Sequence, residues 1–306
     1  MMPGIILNIV TYSARHRVTD SYVPQETQST QSDLMQVDIL NDDGVVERMV
    51  LETYLIGVVL AEMPANFELE ALKAQAVVAR TYTLRAHEGK SKHEMAAVCT
   101  DPACCQAYCS EQDYLLKGGT EENLDRVRCA VEATTGQILT YGGELIEATY
   151  FSCSGGTTED AVAVWGAEIP YLQSVSSPGE EDATYYTDSV AFTITELMEK
   201  LELQSAEMLR FENITYTAGG GVDELTVQGK KFRGTDLRKL LGLRSTAFTI
   251  STEGDNVTFH TRGFGHRVGM SQYGADAMAV NGSSYEEILQ HYYQGTVLEY
   301  RSIDKP

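Results

Sequence analysis

The feature that most restricts the fold of this chain is an alanine-rich segment, residues 67–88, preceded by an apolar stretch, residues 54–63, that ends at Pro64. The run ALKAQAVVARTYTL combines high helix propensity with small side chains that let neighbouring elements pack closely. Because the segment is apolar over most of its circumference, the sequence predicts one long helix buried in a core. Pro64 separates this helix from the apolar stretch, since proline interrupts a continuing helix.

Turn sequences predict two β-hairpins, one on each side of this helix. Residues 34–40 and 45–51 alternate in polarity and are joined by Asn-Asp-Asp-Gly, and residues 137–141 and 144–151 are joined by a Gly-Gly pair. Together with the helix, they predict an α+β fold, with a mixed helix and sheet core built from both chain ends.

Changes in sequence character predict the domain boundaries. Residues 34–178 and 246–300 are expected to form the core, and residues 179–245 a smaller inserted α/β lobe with its own glycine-rich turn. Residues 13–33 are polar and are predicted to be a linker. Residues 1–12 are uncharged and largely apolar, but a membrane span needs about 20 such residues. They are either a frayed tail or first strand, or the remnant of an N-terminal membrane anchor.

Composition and charge exclude several classes of function. The 306-residue chain is 43% hydrophobic and 22% charged, which is typical of a globular protein rather than a disordered one. Its formal net charge of −21 argues against a general affinity for nucleic acid or for an anionic membrane surface. No dinucleotide-binding or P-loop spacing occurs in the glycine-rich segments, so no nucleotide cofactor is predicted.

Glu62 is the first candidate for chemistry. It lies inside the apolar sequence LAEMP, directly before the point where the helix must end. Desolvation at such a position raises the pKa of a carboxyl group, which is the adjustment that a general acid needs near neutral pH. The alternative is an exposed glutamate at the edge of a helix, and the local sequence alone favours that alternative.

Two further segments carry polar groups among glycines. Residues 150–158 (YFSCSGGTT) end a predicted strand in hydroxyls and paired glycines, which either present groups to a ligand or simply form a turn. Residues 261–275 (TRGFGHRVGMSQYGA) place His266, Ser271 and Gln272 among closely spaced glycines that bring backbone close to another element or ligand. A lone histidine is more often structural, but these glycines favour a functional interpretation of His266.

Four cysteines crowd into eleven residues and suggest a metal site rather than a scattered disulfide framework. His93, Cys99, Cys104 and Cys105 offer one imidazole and three thiolates, a reasonable tetrahedral set for a structural zinc ion. His87 and Cys109 are reserve ligands. Disulfides and free thiols remain as alternatives, because adjacent cysteines are geometrically awkward ligands.

These segments together resemble the SpoIID family, the sporulation lytic transglycosylases, and their relatives the amidase enhancers. The resemblance covers roughly residues 51–293. It is carried by motifs in fixed order, at residues 54–59, 62–64, 70–76, 79–82, 154–156 and 263–275.

The resemblance implies that Glu62 is the catalytic residue. The implied reaction cleaves the bond between N-acetylmuramic acid (MurNAc) and N-acetylglucosamine (GlcNAc) of peptidoglycan during engulfment, leaving 1,6-anhydro-MurNAc ends. We expect substrate contacts from polar groups and glycines along the matching motifs and the cysteine segment, namely Lys73, Gln75, Arg80, Tyr82, Gln106, Tyr108, Ser152, Ser154, Gly155, Gly156, His266, Ser271 and Gln272. Arg80 is also a candidate carboxylate clamp.

The resemblance further implies an extracytoplasmic protein held by an N-terminal membrane anchor on the mother-cell side of the engulfing septum. Partners would be glycan strands, a cell-wall amidase and other sporulation wall hydrolases. Some clostridial members carry a zinc site of His and Cys in the segment that holds Cys99, which favours metal here. Arg267, Tyr273 and Cys153 depart from the residues usual in the family and leave fine substrate contacts open.

The main alternative to a lytic transglycosylase is a non-catalytic enhancer of an amidase. A zinc peptidase is disfavoured, because no H-E-x-x-H set is present.

Overall fold

The computed structural model describes residues 34–204 and 209–302. The linker and the anchor remnant predicted before residue 34 lie outside the described residues. Among the described residues, no helix has the length and apolar character required to cross a bilayer.

The described residues form an α+β fold, as the sequence predicts. Its strands are short and, in chain order, are β1 (Gln36–Leu40), β2 (Val46–Val50), β3 (Val98–Cys99), β4 (Gln137–Tyr141), β5 (Glu144–Leu145), β6 (Tyr150–Phe151), β7 (Gly156–Thr157), β8 (Ser176–Ser177), β9 (Thr187–Thr193), β10 (Phe211–Glu212), β11 (Glu224–Val227), β12 (Lys230–Arg233), β13 (Phe248–Glu253), β14 (Asn256–Arg262), β15 (Met270–Ser271) and β16 (Val297–Tyr300). Its helices are α1 (Leu51–Glu62), α2 (Leu69–Arg85), α3 (Glu111–Leu116), α4 (Glu121–Ala133), α5 (Ala161–Trp165), α6 (Ile194–Leu201), α7 (Gly234–Leu241), α8 (Gln272–Val280) and α9 (Tyr285–Tyr292).

Helix α2 is the centre of the main core. It packs against α1, α4, α8, α9 and β4. This is possible because alanines on several sides, Ala71, Ala74 and Ala79 among them, are fully buried and let the neighbours approach. The predicted long buried helix is therefore confirmed, although it ends at Arg85 and continues as a π-helical turn, Ala86–Lys90, in which Gly89 takes a positive φ of 101°.

Both predicted hairpins are present, with one correction. Strands β1 and β2 pair antiparallel, as do β4 and β5. Residues 144–151 are not one strand, however, because the chain leaves the hairpin after Leu145. Tyr150–Phe151 instead pairs in parallel with Met270–Ser271, which joins the chain's middle to its C-terminal part.

A second hydrophobic cluster lies among the residues after 190. Strands β9, β14 and β13 form an antiparallel sheet in the order β13-β14-β9, and α6 packs on β9 and β14 and also against α7. The cluster includes Leu197, Leu225 and Leu237, and also Phe248 and Phe259, which lie beyond the boundary predicted at residue 245. The division of the chain into a core and an inserted lobe stays a prediction.

Candidate active site

Two cavities meet at Glu62. The larger has a volume of about 850 Å³ and the smaller about 380 Å³. Both are lined by Glu62, Ser152, Phe264 and Gln272. Glu62 therefore lies on the boundary that the two cavities share.

Glu62 is the last residue of α1, and the chain turns away at Met63 and Pro64 as the sequence indicates. Its side chain is half-buried, and Oε1 accepts a hydrogen bond of 2.6 Å from the backbone N–H of Ala107. Burial raises the pKa of Glu62 above the ordinary range of a glutamate, and hydrogen bonds from Ala107 and Tyr150 offset part of that rise. The carboxyl group is thus held in place and biased towards its protonated form.

Tyr150 and Gln106 support Glu62 from behind. Tyr150 lines the larger cavity, and its hydroxyl lies close to Glu62 and 3.4 Å from Gln106 Oε1. Gln106 is fully buried and donates through Nε2 to Thr83 Oγ1 of α2 at 3.0 Å. Burial and the neighbouring Glu62 carboxyl raise the pKa of Tyr150, so its hydroxyl keeps its proton and donates. Gln106 does not line either cavity and acts through Tyr150.

The glycine-rich segment forms one wall of the larger cavity because it packs directly on β6. A Cβ at Gly265 would lie 2.7 Å from Phe151 Cβ, and one at Gly269 would lie 2.1 Å from the Thr149 carbonyl oxygen. Both glycines also have positive φ. The glycines therefore allow close backbone approach, and they place His266 in the cavity wall.

His266 is held as a neutral imidazole. Nδ1 accepts a hydrogen bond of 3.1 Å from the backbone N–H of Val268. Burial, with the nearby Arg238 guanidinium, lowers the pKa of His266 to about 4. The ring lies against Phe151 on one side and Trp165 on another, with centroid distances of 5.7 and 5.4 Å.

Ser152 and Gln272 line both cavities next to Glu62. Gln272 donates through Nε2 to Gln75 Oε1 at 3.4 Å. The other end of the same amide, the buried Gln75 Nε2, has no hydrogen-bond partner among the described residues. Ser271 is buried and caps α8 by accepting from the N–H of Gly274 at 3.2 Å. Of the predicted contacts in this region, Ser152 and Gln272 reach the cavities directly, whereas Gln75 and Ser271 support them from inside the core.

The larger cavity has two cationic side chains despite the acidic net charge. Lys92 and Arg238 both line it. Lys92 donates to the Cys104 carbonyl at 2.5 Å and lies 3.3 Å from the hydroxyl of Tyr82, a predicted contact that also lines the cavity. The second carboxylate of the wall, Glu147, forms an ion pair of 2.5 Å with Arg85, which does not line the cavity. Glu62 is therefore the one lining carboxyl without a cationic partner among the described residues.

Two further predicted contacts on α2, besides Gln75, do not reach the cavities. Arg80 is fully buried and forms a two-point ion pair with Glu52 at 2.8 and 2.6 Å. Arg80 therefore does bind a carboxylate, but this carboxylate is Glu52 of the same chain rather than a substrate group. The ion pair fastens α1 to α2. Lys73 pairs with Glu70 at 2.6 Å and lies over the ring of Tyr285.

The Ser-Gly-Gly turn is occupied by a buried carboxylate of the chain itself. Glu180 Oε2 accepts from the N–H and Oγ of Ser154, at 2.7 and 2.9 Å, and from the N–H of Gly155 at 3.0 Å. Gly156 pairs with Ser177 between β7 and β8. None of these three predicted contacts lines either cavity, and the turn acts as a structural support for the adjoining Ser152.

Tyr108 also packs inside the fold rather than in a cavity. Its ring stacks on Tyr54 at 5.6 Å and covers Gly57, where a Cβ would lie 2.2 Å from the ring. The next residue, Cys109, donates its backbone N–H to the Gly57 carbonyl at 3.0 Å. These contacts hold the cysteine segment on α1, two residues from the Ala107 N–H that binds Glu62.

The cysteine segment brings four candidate metal ligands together. The ligand atoms of His93, Cys99, Cys104 and Cys105 all lie within 4.8 Å of one another. His93 Nε2 is 3.7 Å from Cys104 Sγ and 3.4 Å from Cys105 Sγ, and the two sulfur atoms are 3.9 Å apart. Zinc–sulfur bonds of about 2.3 Å in a tetrahedron separate sulfur ligands by about 3.8 Å, so this donor set fits a zinc ion.

The other thiols and the reserve ligands stand apart from this cluster. Cys109 lies near the Ser110 carbonyl, and His87 lines a surface cavity together with Asp38 and His93 but is not part of the ligand cluster. Burial raises the pKa of Cys153 to about 12, and its thiol donates to the Tyr185 carbonyl. Cys153 is thus not an activated nucleophile.

Several residues of the site were not among the sequence-based predictions. Tyr150 was detectable, because alternate strand residues share a face and Ser152 lies two positions later. Trp165 and Arg238 come from α5 and α7, and no local pattern links those helices to Glu62. Ala107 contributes only its backbone N–H, which any residue except proline carries.

Fold and site together define an α+β protein with a half-buried carboxyl group between two cavities. Residues 41–141 match the family described as SpoIID, stage II sporulation protein. The chain is 43% identical to stage II sporulation protein D of Bacillus amyloliquefaciens over 255 residues, covering 82% of this chain and 74% of that protein. It is 29% identical to an amidase enhancer of Bacillus subtilis (strain 168), over 80% of this chain and 40% of the enhancer. The chain belongs to the stage II sporulation protein D family.

Proposed function

We propose that this protein is a sporulation lytic transglycosylase that cleaves the MurNAc–GlcNAc bond of peptidoglycan with Glu62 as acid and base. The observation that carries the proposal is the position of Glu62, a carboxyl group with a raised pKa at the junction of two cavities. A polymer can pass Glu62 on both sides, which suits cleavage within a glycan strand.

The proposed reaction needs one carboxyl group. Protonated Glu62 gives its proton to the glycosidic oxygen as the bond from that oxygen to the MurNAc C1 breaks. The MurNAc 6-hydroxyl then bonds to C1, and its proton passes to the Glu62 carboxylate, which restores the acid. No water is consumed, and the product is a 1,6-anhydro ring.

The carboxylates of the cavity walls support this mechanism over hydrolysis. Common glycoside hydrolases use a pair of carboxyl groups across the scissile bond. Glu147 is the other carboxylate in the lining, and it is engaged in an ion pair with Arg85. Tyr150 and Ala107 would orient Glu62, and the neutral His266 and Gln272 would contact sugar hydroxyl and amide groups.

The His93, Cys99, Cys104 and Cys105 cluster is proposed to hold a structural zinc ion. Bound zinc would supply folding free energy to a segment poor in apolar residues. Through this segment it would keep the Ala107 N–H on Glu62, since Ala107 follows Cys105 by two residues. No catalytic step is assigned to the metal.

The proposed cellular setting follows from the family. We expect the protein to act outside the cytoplasm during sporulation, held by an N-terminal anchor on the mother-cell side of the engulfing septum. A cell-wall amidase and other wall hydrolases are the expected partners. The similarity to an amidase enhancer supports one rival, in which the cleft binds glycan without cleaving it and activates such an amidase.

Purified protein and isolated glycan strands separate the two candidates. A lytic transglycosylase releases anhydromuramoyl products by itself and loses this activity when Glu62 is changed to Gln. An enhancer releases nothing until an amidase is added, and its effect on the amidase survives the same substitution.

A further inference from the structure

Trp165 is a large aromatic residue left open to solvent on the wall of the larger cavity. It is the only tryptophan of the chain, and 43% of its surface is exposed. An aromatic side chain of this size contributes most when it is buried, so an exposed one in a concave wall is a place where a ligand can gain apolar contact.

The indole packs against another ring of the cavity wall. Helix α5 ends at Trp165, and the next residue, Gly166, adopts a left-handed φ of 74° and donates its N–H to the Val162 carbonyl. The indole contacts the His266 ring, which in turn contacts the buried Phe151. His266 is itself fixed by the hydrogen bond from Val268. Three rings in contact, those of Trp165, His266 and Phe151, therefore form part of the cavity wall.

We propose that Trp165 is the platform of a sugar-binding subsite in the larger cavity, on which one pyranose ring of a glycan strand stacks while Glu62 acts on a bond further along the strand. The inference rests on the proposed glycan substrate and adds where the strand is held. A pyranose ring has C–H groups on its faces and hydroxyl groups on its edge. The C–H groups of its face can pack on an exposed indole, and the hydroxyl groups of its edge can form hydrogen bonds with polar groups in the same wall.

The arrangement of groups around the two cavities agrees with such a subsite. The smaller cavity has its own aromatic wall, where Tyr185 contacts Phe264 and Arg244 lies over both rings. Aromatic surface is thus present on both sides of Glu62. A strand held on Trp165 at one end is positioned across the carboxyl group rather than only beside it.

The test uses the intrinsic fluorescence of the single tryptophan. Titrating the wild type and Glu62→Gln with oligomers of GlcNAc should change the tryptophan emission in a saturable way. By calorimetry, Trp165→Ala should bind the same oligomers about tenfold to a hundredfold more weakly, as expected for loss of a tryptophan anchor, and Trp165→Phe should lie between. Tyr300→Ala is the matched control, because Tyr300 is 72% exposed but lines neither cavity.

Product analysis run in parallel separates this inference from the proposed reaction. Wild-type affinity and wild-type turnover in Trp165→Ala would reject the subsite and leave the transglycosylase intact. Calorimetric saturation of the wild type without any change in emission would also reject the subsite, as would absence of oligomer binding. Binding that depends on Trp165, without anhydromuramoyl products, would support the subsite and reject the transglycosylase.

Discussion

Removing zinc should change the pH dependence of cleavage, because the proposed metal segment delivers the Ala107 N–H to Glu62. The bond to Oε1 is 2.6 Å long and has a charged acceptor when Glu62 is ionised. Hydrogen bonds of this kind contribute about 1.5–3 kcal/mol. Losing the bond would remove this stabilisation of the carboxylate and raise the pKa of Glu62 further.

The sign of the effect follows from the role of Glu62. The hydrogen bond stabilises the carboxylate, so its loss favours the protonated acid and raises a pKa that burial has already raised. The first step requires protonated Glu62, and activity falls as pH rises through this pKa. Zinc-free protein should therefore keep its remaining activity to higher pH, while its maximal rate falls because Glu62 is less well positioned.

The assay compares rate against pH for wild type, chelated protein and Cys99→Ser. Cys129→Ser is the matched control, because Cys129 is exposed and outside the ligand cluster. Elemental analysis should give about one zinc per chain for the wild type and the control. Chelation should loosen residues 89–110 before the rest of the core. A metal-free protein with the wild-type rate and an unshifted alkaline limb would refute the reasoning.

Three further predictions concern individual residues. Arg80→Ala should destabilise the fold by about 3–5 kcal/mol, because it leaves the Glu52 carboxylate without its buried partner, and a lower Tm with normal turnover per folded molecule would show this. His266→Ala should reduce glycan processing more than Tm; a collapse of Tm with normal activity per folded molecule would mean a purely structural histidine. Lys73→Ala should leave KM nearly unchanged, since Lys73 lies outside both cavities, and a large rise in KM would place the substrate elsewhere.

The parts of the fold that local chemistry determines were predictable. The central helix follows from its alanine-rich run, and the two hairpins from their turn sequences. The pairings of β6 with β15 and of β4 with β16 were not predictable from the local sequence. Strands β6, β15 and β16 are two to four residues long and exist only because distant parts of the chain pair, as Tyr150 does with Met270.

The residues predicted for the candidate site also fall into two groups, those that line the larger cavity and those that support the fold. Glu62, Tyr82, Ser152, His266 and Gln272 converge on the larger cavity from separate motifs. Arg80 and Ser154 belong to equally characteristic motifs but bind carboxylates of this chain, Glu52 and Glu180. A motif marks residues that matter to the fold or to the site, and the sequence alone does not separate the two roles.

The most direct test of the central claim is mass spectrometry of the products formed from isolated glycan strands by wild type and Glu62→Gln. We expect 1,6-anhydromuramoyl ends from the wild type. The variant should bind glycan normally but cleave about 10²–10⁴-fold more slowly, the usual effect of losing a positioned acid and base. Reducing ends that carry an added water, or wild-type turnover by the variant, would contradict the account.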